Sequence, residues 1–186
     1  MKTYLRMTIV LGVLFATFAS RNAHAQLPNG YGTGIPVETA RKVAAAAIAE
    51  AKKNGWNVAA AIVDTGGDLV FFERMDNAQV ASAIVSQEKA RTAVRFKRPS
   101  KAFEDALVGG RQAILSLPGV TPLEGGLPLV MDGKIVGAIG VSGATSPQDG
   151  VCAAAGAETL GKQPVMPTPP KPPTPAPPPA ATPPKK

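Results

Sequence analysis

Two pairs of short apolar segments, each joined by a tight-turn sequence, limit the folds open to this chain. The first pair flanks the sequence Asp64-Thr65-Gly66-Gly67, and the second flanks Asp132-Gly133, a dipeptide typical of two-residue β-hairpin turns. The strands predicted in this way are residues 57–64, 68–73, 127–131 and 134–141. Because hairpin strands pair antiparallel, the sequence predicts an antiparallel β-sheet.

Helical segments alternate with these strands. Residues 36–54 begin with proline, are rich in alanine and end at an Asn-Gly pair, which is typical of a helix with its start and stop. Asn77 is a candidate N-cap for a long helix, and Ser100 and Ser146 are candidate N-caps for two further helices. A short additional strand is expected around residues 117–121. The order predicts a single α+β domain with a central antiparallel β-sheet flanked by α-helices.

Both ends of the chain differ in composition from the part between them. Residues 1–25 combine a basic start, a short apolar run and a final Ala-His-Ala, the pattern of a cleavable signal peptide. The apolar run is shorter than the roughly 20 residues that a membrane-spanning helix needs. Half of residues 163–186 are proline, which favours an extended segment without a core of its own. We therefore expect a folded domain at 26–162 that is exported, to the periplasm or as a secreted protein, without stable membrane insertion.

The histidine and cysteine contents limit the chemistry. His24 is the only histidine and lies in the predicted signal peptide, so after cleavage the sequence excludes histidine-based zinc sites and Ser–His or Cys–His nucleophiles. Cys152 is the only cysteine, and its alanine-rich surroundings predict a buried, inert thiol. Six of the 20 basic residues lie in the two ends, whereas all 13 acidic residues lie at 26–162. The domain is therefore close to neutral, which argues against a nucleic-acid partner.

A basic segment at residues 89–111 has two open interpretations. At helical spacing Arg91, Arg95 and Arg98 share one face. This face is either solvated and paired with neighbouring acidic residues, or a site for carboxylates or phosphates, which guanidinium groups bind well. The glycine-rich loop at 140–147, which leads into a helix, is either a structural turn or a second place for an anion.

Several sequence motifs together resemble the GlcG/HbpS family of small haem-binding proteins. They cover nearly all of the predicted domain, from about residue 35 to residue 161. The motifs are residues 61–70 (AIVDTGGDLV), 73–78 (ERMDNA), 89–93 (KARTA), 117–122 (LPGVTP), 125–128 (GGLP) and 133–143 (GKIVGAIGVSG). The resemblance implies the same α+β fold and a homo-oligomer. Relatives include exported haem-binding proteins that serve a sensor system, a protein encoded with glycolate use and a domain fused to corrinoid adenosyltransferases.

The resemblance also implies where a cofactor would bind. In the exported haem-binding relative, a threonine after a Pro-Gly pair is an iron ligand; Val120 occupies that position here and Thr121 follows it. A pair of glutamates that binds free iron in the same relative is replaced here by Ile84 and Gln87. The candidate cofactor-binding residues are Thr121, Lys89 and Met75 near the iron, Arg91 and Arg95 near the propionates, and Gly125 and Gly126, whose backbone permits close approach. The alternatives are that Met75 is a packing residue and that the glycine pair only shapes a bend.

Three functions follow from these observations. The first is an exported protein that binds haem or a related tetrapyrrole, as a sensor component or haem-handling accessory. The alternative is an enzyme, or an accessory to one, that acts on a small carboxylate, with the arginines as anion site and Asp64 or Asp76 as base. The third is an assembly protein in which the proline-rich segment binds a wall or envelope partner; otherwise that segment is a spacer.

Overall fold

The computed structural model describes residues 30–161 and residue 163. The predicted signal peptide and residues 164–186 of the proline-rich segment lie outside the described residues. The elements along the chain are α1 (Val37–Lys53), β1 (Ala59–Val63), β2 (Leu69–Arg74), α2 (Ser82–Phe96), α3 (Lys101–Val108), a 3₁₀ helix (Gln112–Ser116), β3 (Gly126–Met131), β4 (Lys134–Ser142) and α4 (Ser146–Glu158).

The four strands form one antiparallel sheet in the order β2-β1-β4-β3. Both predicted hairpins are confirmed, and both turn residues of the second, Asp132 and Gly133, have the positive φ that a type I′ turn needs (50° and 73°). Every residue of β1 is buried, because helices cover both faces of the sheet. The predicted α+β fold is therefore confirmed.

The helices form two layers. On one face, α1 and α4 pack on each other and on the sheet around Val43, Ile62 and Ile139. On the other face, α2 packs on β1, β3 and β4 through Ala90 and Ala93. Within residues 30–161 and 163, no helix is long and apolar enough to cross a membrane.

Helix α2 lies unusually close to the sheet because the sheet presents glycines to it. A Cβ atom added to Gly140 would lie 2.6 Å from the backbone nitrogen of Ala90 and 3.0 Å from its Cβ. A Cβ on Gly126 would lie 2.7 Å from the carbonyl carbon of Lys89. The buried side of α2 also carries small residues, including Ser86. The distance between α2 and the sheet is therefore set by the glycines of the sheet together with the small residues of the helix.

Two of the predicted helix starts are wrong. Asn77 has a φ of 65° and lies in a turn, whereas an N-cap has extended backbone, so α2 begins only at Ser82. Helix α4 begins at Ser146, but Thr145 is its N-cap, and the Thr145 N–H donates to Gln148 Oε1 (3.1 Å). The sequence therefore predicted the N-cap of α4 one residue too late, at Ser146 instead of Thr145.

Two further expectations require correction. Ser100 does precede α3, but its hydroxyl makes no cap bond and bonds to the turn before β3 instead. Residues 117–121 form no strand; they turn at Gly119, whose φ is 71°, after the 3₁₀ helix has buried Ile114. A side-chain hydroxyl, rather than a neighbouring strand, takes up the backbone N–H of Thr121.

Candidate functional site

The loop at residues 117–124 is fixed to the rest of the domain by two hydroxyl groups. Thr92 lies fully buried on α2; its Oγ1 accepts from the Thr121 N–H (2.8 Å) and donates to the Gly119 carbonyl (3.4 Å). Ser100, also fully buried, donates to the Leu123 carbonyl (2.6 Å). Thr121 is thus held through its backbone amide, which leaves its half-buried side chain unconstrained by that bond.

Apolar side chains on the same segment remain exposed to solvent. Leu117 is 39% exposed and Leu123 is 40% exposed, one on each side of Thr121 along the loop. Leu115 on the preceding 3₁₀ helix is 64% exposed. Exposed aliphatic side chains on one segment form apolar surface of the kind that a ligand or a partner can cover.

Arg95 places a positive charge beside this loop. Its Nη1 lies 2.7 Å from the position that a Cβ on Gly119 would occupy, so the guanidinium lies against the loop backbone at this residue. No carboxylate of the described residues lies within 4.0 Å of Arg95. Arg95 is exposed, and its charge is therefore free to meet an anionic group of a ligand.

Two of the three arginines share a face as predicted, since Arg91 and Arg95 both lie at Gly67, whereas Arg98 does not join them. Arg91 is paired with Glu88 (Nη1–Oε1 2.7 Å) and donates from Nε to the Gly67 carbonyl (3.1 Å). Lys97 has a left-handed backbone (φ 53°) that ends α2, so Arg98 leaves the helix and lies over the Phe103 ring at 5.5 Å. The guanidinium groups of Arg91 and Arg98 thus interact with a carboxylate and with an aromatic ring, whereas that of Arg95 has no carboxylate partner among the described residues.

Lys89 points into the interior rather than to the surface of α2. Its side chain is 2% exposed, and Nζ donates to Asp149 Oδ2 (2.8 Å) and to the Val141 carbonyl (3.2 Å). Burial raises the pKa of the Asp149 carboxyl above its usual value, against the opposing effect of the Lys89 ammonium. Lys89 as a group near a bound iron stays a prediction, since its Nζ is used inside the protein.

The glycine-rich loop after β4 binds a carboxylate of the protein itself, that of Asp149. Asp149 on the first turn of α4 accepts from the Ala144 N–H at Oδ1 (3.0 Å). The structure therefore favours the structural interpretation of residues 140–147, with an internal carboxylate at the helix start.

The predicted glycine pair lies directly over the buried lysine. A Cβ on Gly125, whose φ is 125°, would lie 2.9 Å from Asp149 Cβ and 3.0 Å from Lys89 Nζ. The Gly126 N–H donates to Ser100 Oγ (2.8 Å). Gly125 and Gly126 thus allow the chain to approach α2 and the ion pair; a role of these glycines in cofactor binding stays a prediction.

Met75 and Thr121 lie on different sides of the sheet. Met75 follows β2 and packs on the apolar cluster between the sheet and α1 and α4, whereas Thr121 is bonded to α2 on the opposite face. Met75 also borders a polar hollow of about 350 Å³ with Asn57 and Glu73. The candidate ligands Thr121, Lys89 and Met75 are therefore not brought together around one point.

The candidate bases of the carboxylate-enzyme interpretation have local roles or exposed positions. Asp64 Oδ1 accepts the backbone N–H groups of Gly66 (2.8 Å) and Asp68 (3.0 Å), which closes the first hairpin turn. Asp76 is exposed in the loop after β2. Among residues 30–161 and 163, no three histidine, cysteine or acidic side chains come together as metal ligands would.

Sequence reasoning missed the residues that organise the loop and the ion pair. Thr92 and Ser100 supply the hydroxyls, and Asp149 is the partner of Lys89. Thr92 does lie within the KARTA motif, but a threonine on a helix carries no signal of a distant partner. Asp149 lies in the first turn of α4, and its pairing with Lys89 across the sheet depends on the tertiary fold.

Comparison with known proteins places this chain in a family. Residues 35–158 match the family described as "Haem degrading protein HbpS-like". Protein GlcG of Escherichia coli K12 is 46% identical over 105 residues, which are 56% of this chain and 78% of that protein. An uncharacterised 15.0 kDa protein from the dhaT-dhaS intergenic region of Citrobacter freundii is 34% identical over 119 residues, 62% of this chain and 84% of that protein.

Solved structures show the same fold. A double mutant of Streptomyces reticuli HbpS is 35% identical with a TM-score of 0.65, over 70% of this chain and 90% of that chain. A PduOC:haem complex is 25% identical with a TM-score of 0.63, over 69% of this chain and 96% of that chain.

Proposed function

This chain belongs to the HbpS-like family, and we propose that it is an exported protein that binds haem or a related tetrapyrrole. The observation that carries the proposal is the loop at 117–124: exposed leucines precede and follow Thr121 along the loop, and the Arg95 guanidinium lies against the loop at Gly119. A relative of 25% identity has been solved as a haem complex, which supports the ligand class. A role as a sensor component or haem-handling accessory is part of the same proposal.

The groups at this loop fit the two halves of the ligand. Leu117 and Leu123 offer apolar surface to the macrocycle, and the exposed guanidinium of Arg95 suits a propionate carboxylate. Thr121 contributes a hydroxyl oxygen as the candidate ligand to iron. Haem, when bound, would supply a redox-active iron; the protein residues would position the macrocycle and neutralise one propionate.

Titration of the purified chain from residue 26 to 186 with hemin tests the proposal. We expect a saturable change in the Soret band at micromolar protein. Arg95→Gln should weaken binding about tenfold, because a charge-assisted hydrogen bond is worth about 1.5–3 kcal/mol at most and this one is exposed. Arg41→Gln is the matched control, since Arg41 is an exposed arginine on α1, on the opposite face of the sheet.

Two variants at the loop separate ligand contact from loop structure. Thr121→Val retains the shape and the backbone N–H that bonds to Thr92, so a shifted Soret position with unchanged stability indicates contact with iron. Unchanged hemin titrations for Arg95→Gln and Thr121→Val together would place any haem elsewhere. Absence of a saturable spectral change for the unmodified chain would refute the function itself.

Export rests on the N-terminal sequence and has a separate test. The pattern at residues 1–25 supports cleavage after Ala25. N-terminal sequencing of the protein from the extracytoplasmic fraction should give Gln26 as the first residue. Recovery of the full-length chain from the cytoplasm would contradict export while leaving haem binding untouched.

Self-association is a further part of the proposal. Val80, 80% exposed in the turn before α2, and Ile84, 68% exposed in its first turn, lie four residues apart and support contact between copies of the chain. Sedimentation of the unmodified chain should show an oligomer that Ile84→Glu dissociates. A monomer at all concentrations would contradict this part.

A further inference from the structure

The outer edge of β3 is closed to a further strand. At Gly126 the N–H donates to Ser100 Oγ (2.8 Å) and the carbonyl accepts from the Ser100 N–H (3.0 Å). At Val130 the N–H donates to the side-chain oxygen of Gln163 (3.0 Å), and the carbonyl accepts from its Nε2 (3.3 Å). Pro128, between them, has no N–H to offer. A strand that needs ladder hydrogen bonds therefore cannot add at this edge.

An apolar groove runs beside this closed edge. It has a volume of about 280 Å³ and lies between β3 and α4. Leu127 and Pro128 line one side, and Ala154 and Ala157 line the other. Gln163, the last residue that the structure describes, also borders the groove.

We propose that residues 164–167 of this chain, Pro-Val-Met-Pro, occupy the groove. Their starting point is fixed there, because Gln163 Nε2 also donates to the carbonyls of Ala157 (3.0 Å) and Gly161 (3.2 Å). In residues 164–186, Val165 and Met166 are the only large side chains that are apolar and not proline. They follow directly on the residue that borders the groove.

Length and hydrogen bonding both suit this segment. A polyproline II chain advances ~3.1 Å per residue, so the three steps from Gln163 to Met166 cover about 9 Å, close to the ~10 Å of β3 from Val130 back to Leu127. Prolines lack N–H groups and keep their conformation at low entropic cost, so they suit an edge whose own N–H groups are used. The folded unit then extends to about residue 167, and the remaining residues, 168–186, begin from a fixed point on the surface.

Paramagnetic broadening in the chain from residue 26 to 186 tests the proposal. A nitroxide at position 171 (Lys171→Cys) and one at position 185 (Lys185→Cys) are compared, each in a Cys152→Ala background. We expect the label at 171, and not that at 185, to broaden the amide signals of Leu127 and Ala154. The broadening should not change on dilution, and Gln163→Ala should reduce it.

Three results would overturn the proposal. One is an absence of broadening at the groove from position 171. Another is broadening that appears only in mixtures of isotope-labelled and spin-labelled molecules, since the occupant would then be the segment of a second copy. The third comes from double variants without a nitroxide. Val165→Ser with Met166→Ser should shift the resonances of the groove residues, whereas the control pair, Ala180→Ser with Ala181→Ser, should not. Equal shifts for the two pairs would contradict occupancy by residues 164–167.

Discussion

Lys89 and Asp149 form a buried ion pair, 2.8 Å from Nζ to Oδ2, that joins helices on opposite faces of the sheet. Lys89 belongs to α2 and Asp149 to α4, and the Val141 carbonyl near the end of β4 accepts from the same ammonium group. The carboxylate also accepts the Ala144 N–H, so one pair connects both helical layers and the loop between β4 and α4.

Breaking this ion pair should destabilise the fold strongly. Lys89→Met leaves the Asp149 carboxylate buried without its cation, which typically costs about 3–5 kcal/mol. Urea unfolding followed by circular dichroism measures the loss. The double variant Lys89→Met with Asp149→Leu should recover much of it, because burial of the pair is itself costly, as the raised pKa of Asp149 indicates. A double variant as unstable as the sum of both single variants would contradict this explanation.

Thr92 should control the order of the loop at 117–124. Thr92→Val keeps the side-chain shape but removes the oxygen that accepts from the Thr121 N–H, so that amide should exchange with solvent faster. We expect a loss of about 1–2 kcal/mol in stability from the unpaired amide and carbonyl. Thr92→Ser retains the hydroxyl and is the control in the hydrogen-exchange experiment. Equal exchange of the Thr121 amide in all three proteins would show that the bond does not order the loop.

The strands could be predicted from the sequence because they depend on local signals. The turns at Asp64 and Asp132 carry the residues that a hairpin requires, and both strand pairs are present. The start of α2 could not be predicted, because the apolar residues in this region, Val80 and Ile84, are exposed to solvent. The polar residues Ser82 and Ser86 are buried instead. Small polar residues can face a core only when glycines such as Gly140 bring the sheet close, and that match is tertiary.

The candidate site was predictable only in part for a similar reason. The sequence marked Thr121 and Arg95, which lie at one loop. It also marked Lys89 and Met75, which lie elsewhere. Lys89 is held by a partner 60 residues away along the chain. Met75 packs on the apolar cluster between the sheet, α1 and α4. Spacing along the chain gave no information on these contacts.

The close approach of α2 to the sheet should depend on Gly140. Gly140→Ala places a methyl group 2.6 Å from the Ala90 nitrogen, so the helix must move, and overpacking of this kind typically costs about 1–3 kcal/mol. Gly34→Ala is the matched control, because its nearest neighbour, Asp64 Cβ, would lie at an ordinary 3.4 Å. Thermal unfolding should show a lower midpoint for Gly140→Ala alone. A similar midpoint for the two variants would mean that the contact is relieved without cost.

Cys152 should be unreactive in the folded protein. It is fully buried on α4, and burial raises the pKa of its thiol to about 11, with the Asp149 and Glu50 carboxylates acting in the same direction. At pH 8 the thiolate fraction is then on the order of a thousandth, so a disulfide reagent should react slowly with the native chain and rapidly in urea. Rapid reaction of the native thiol at low reagent concentration would contradict the burial.

The same thiol should make stability depend on alkaline pH. Below its unfolded pKa, near 9.0, the thiol is protonated in both states and has no effect. Between 9.0 and about 11 the unfolded chain loses this proton while the folded chain keeps it, so stability falls as the pH rises. The loss should be roughly 1 kcal/mol at pH 10. Because lysines and tyrosines also titrate in this range, the unmodified chain is compared with Cys152→Ala by urea unfolding at pH 8 and at pH 10. The free energy of unfolding should fall further between these pH values for the unmodified chain than for the variant.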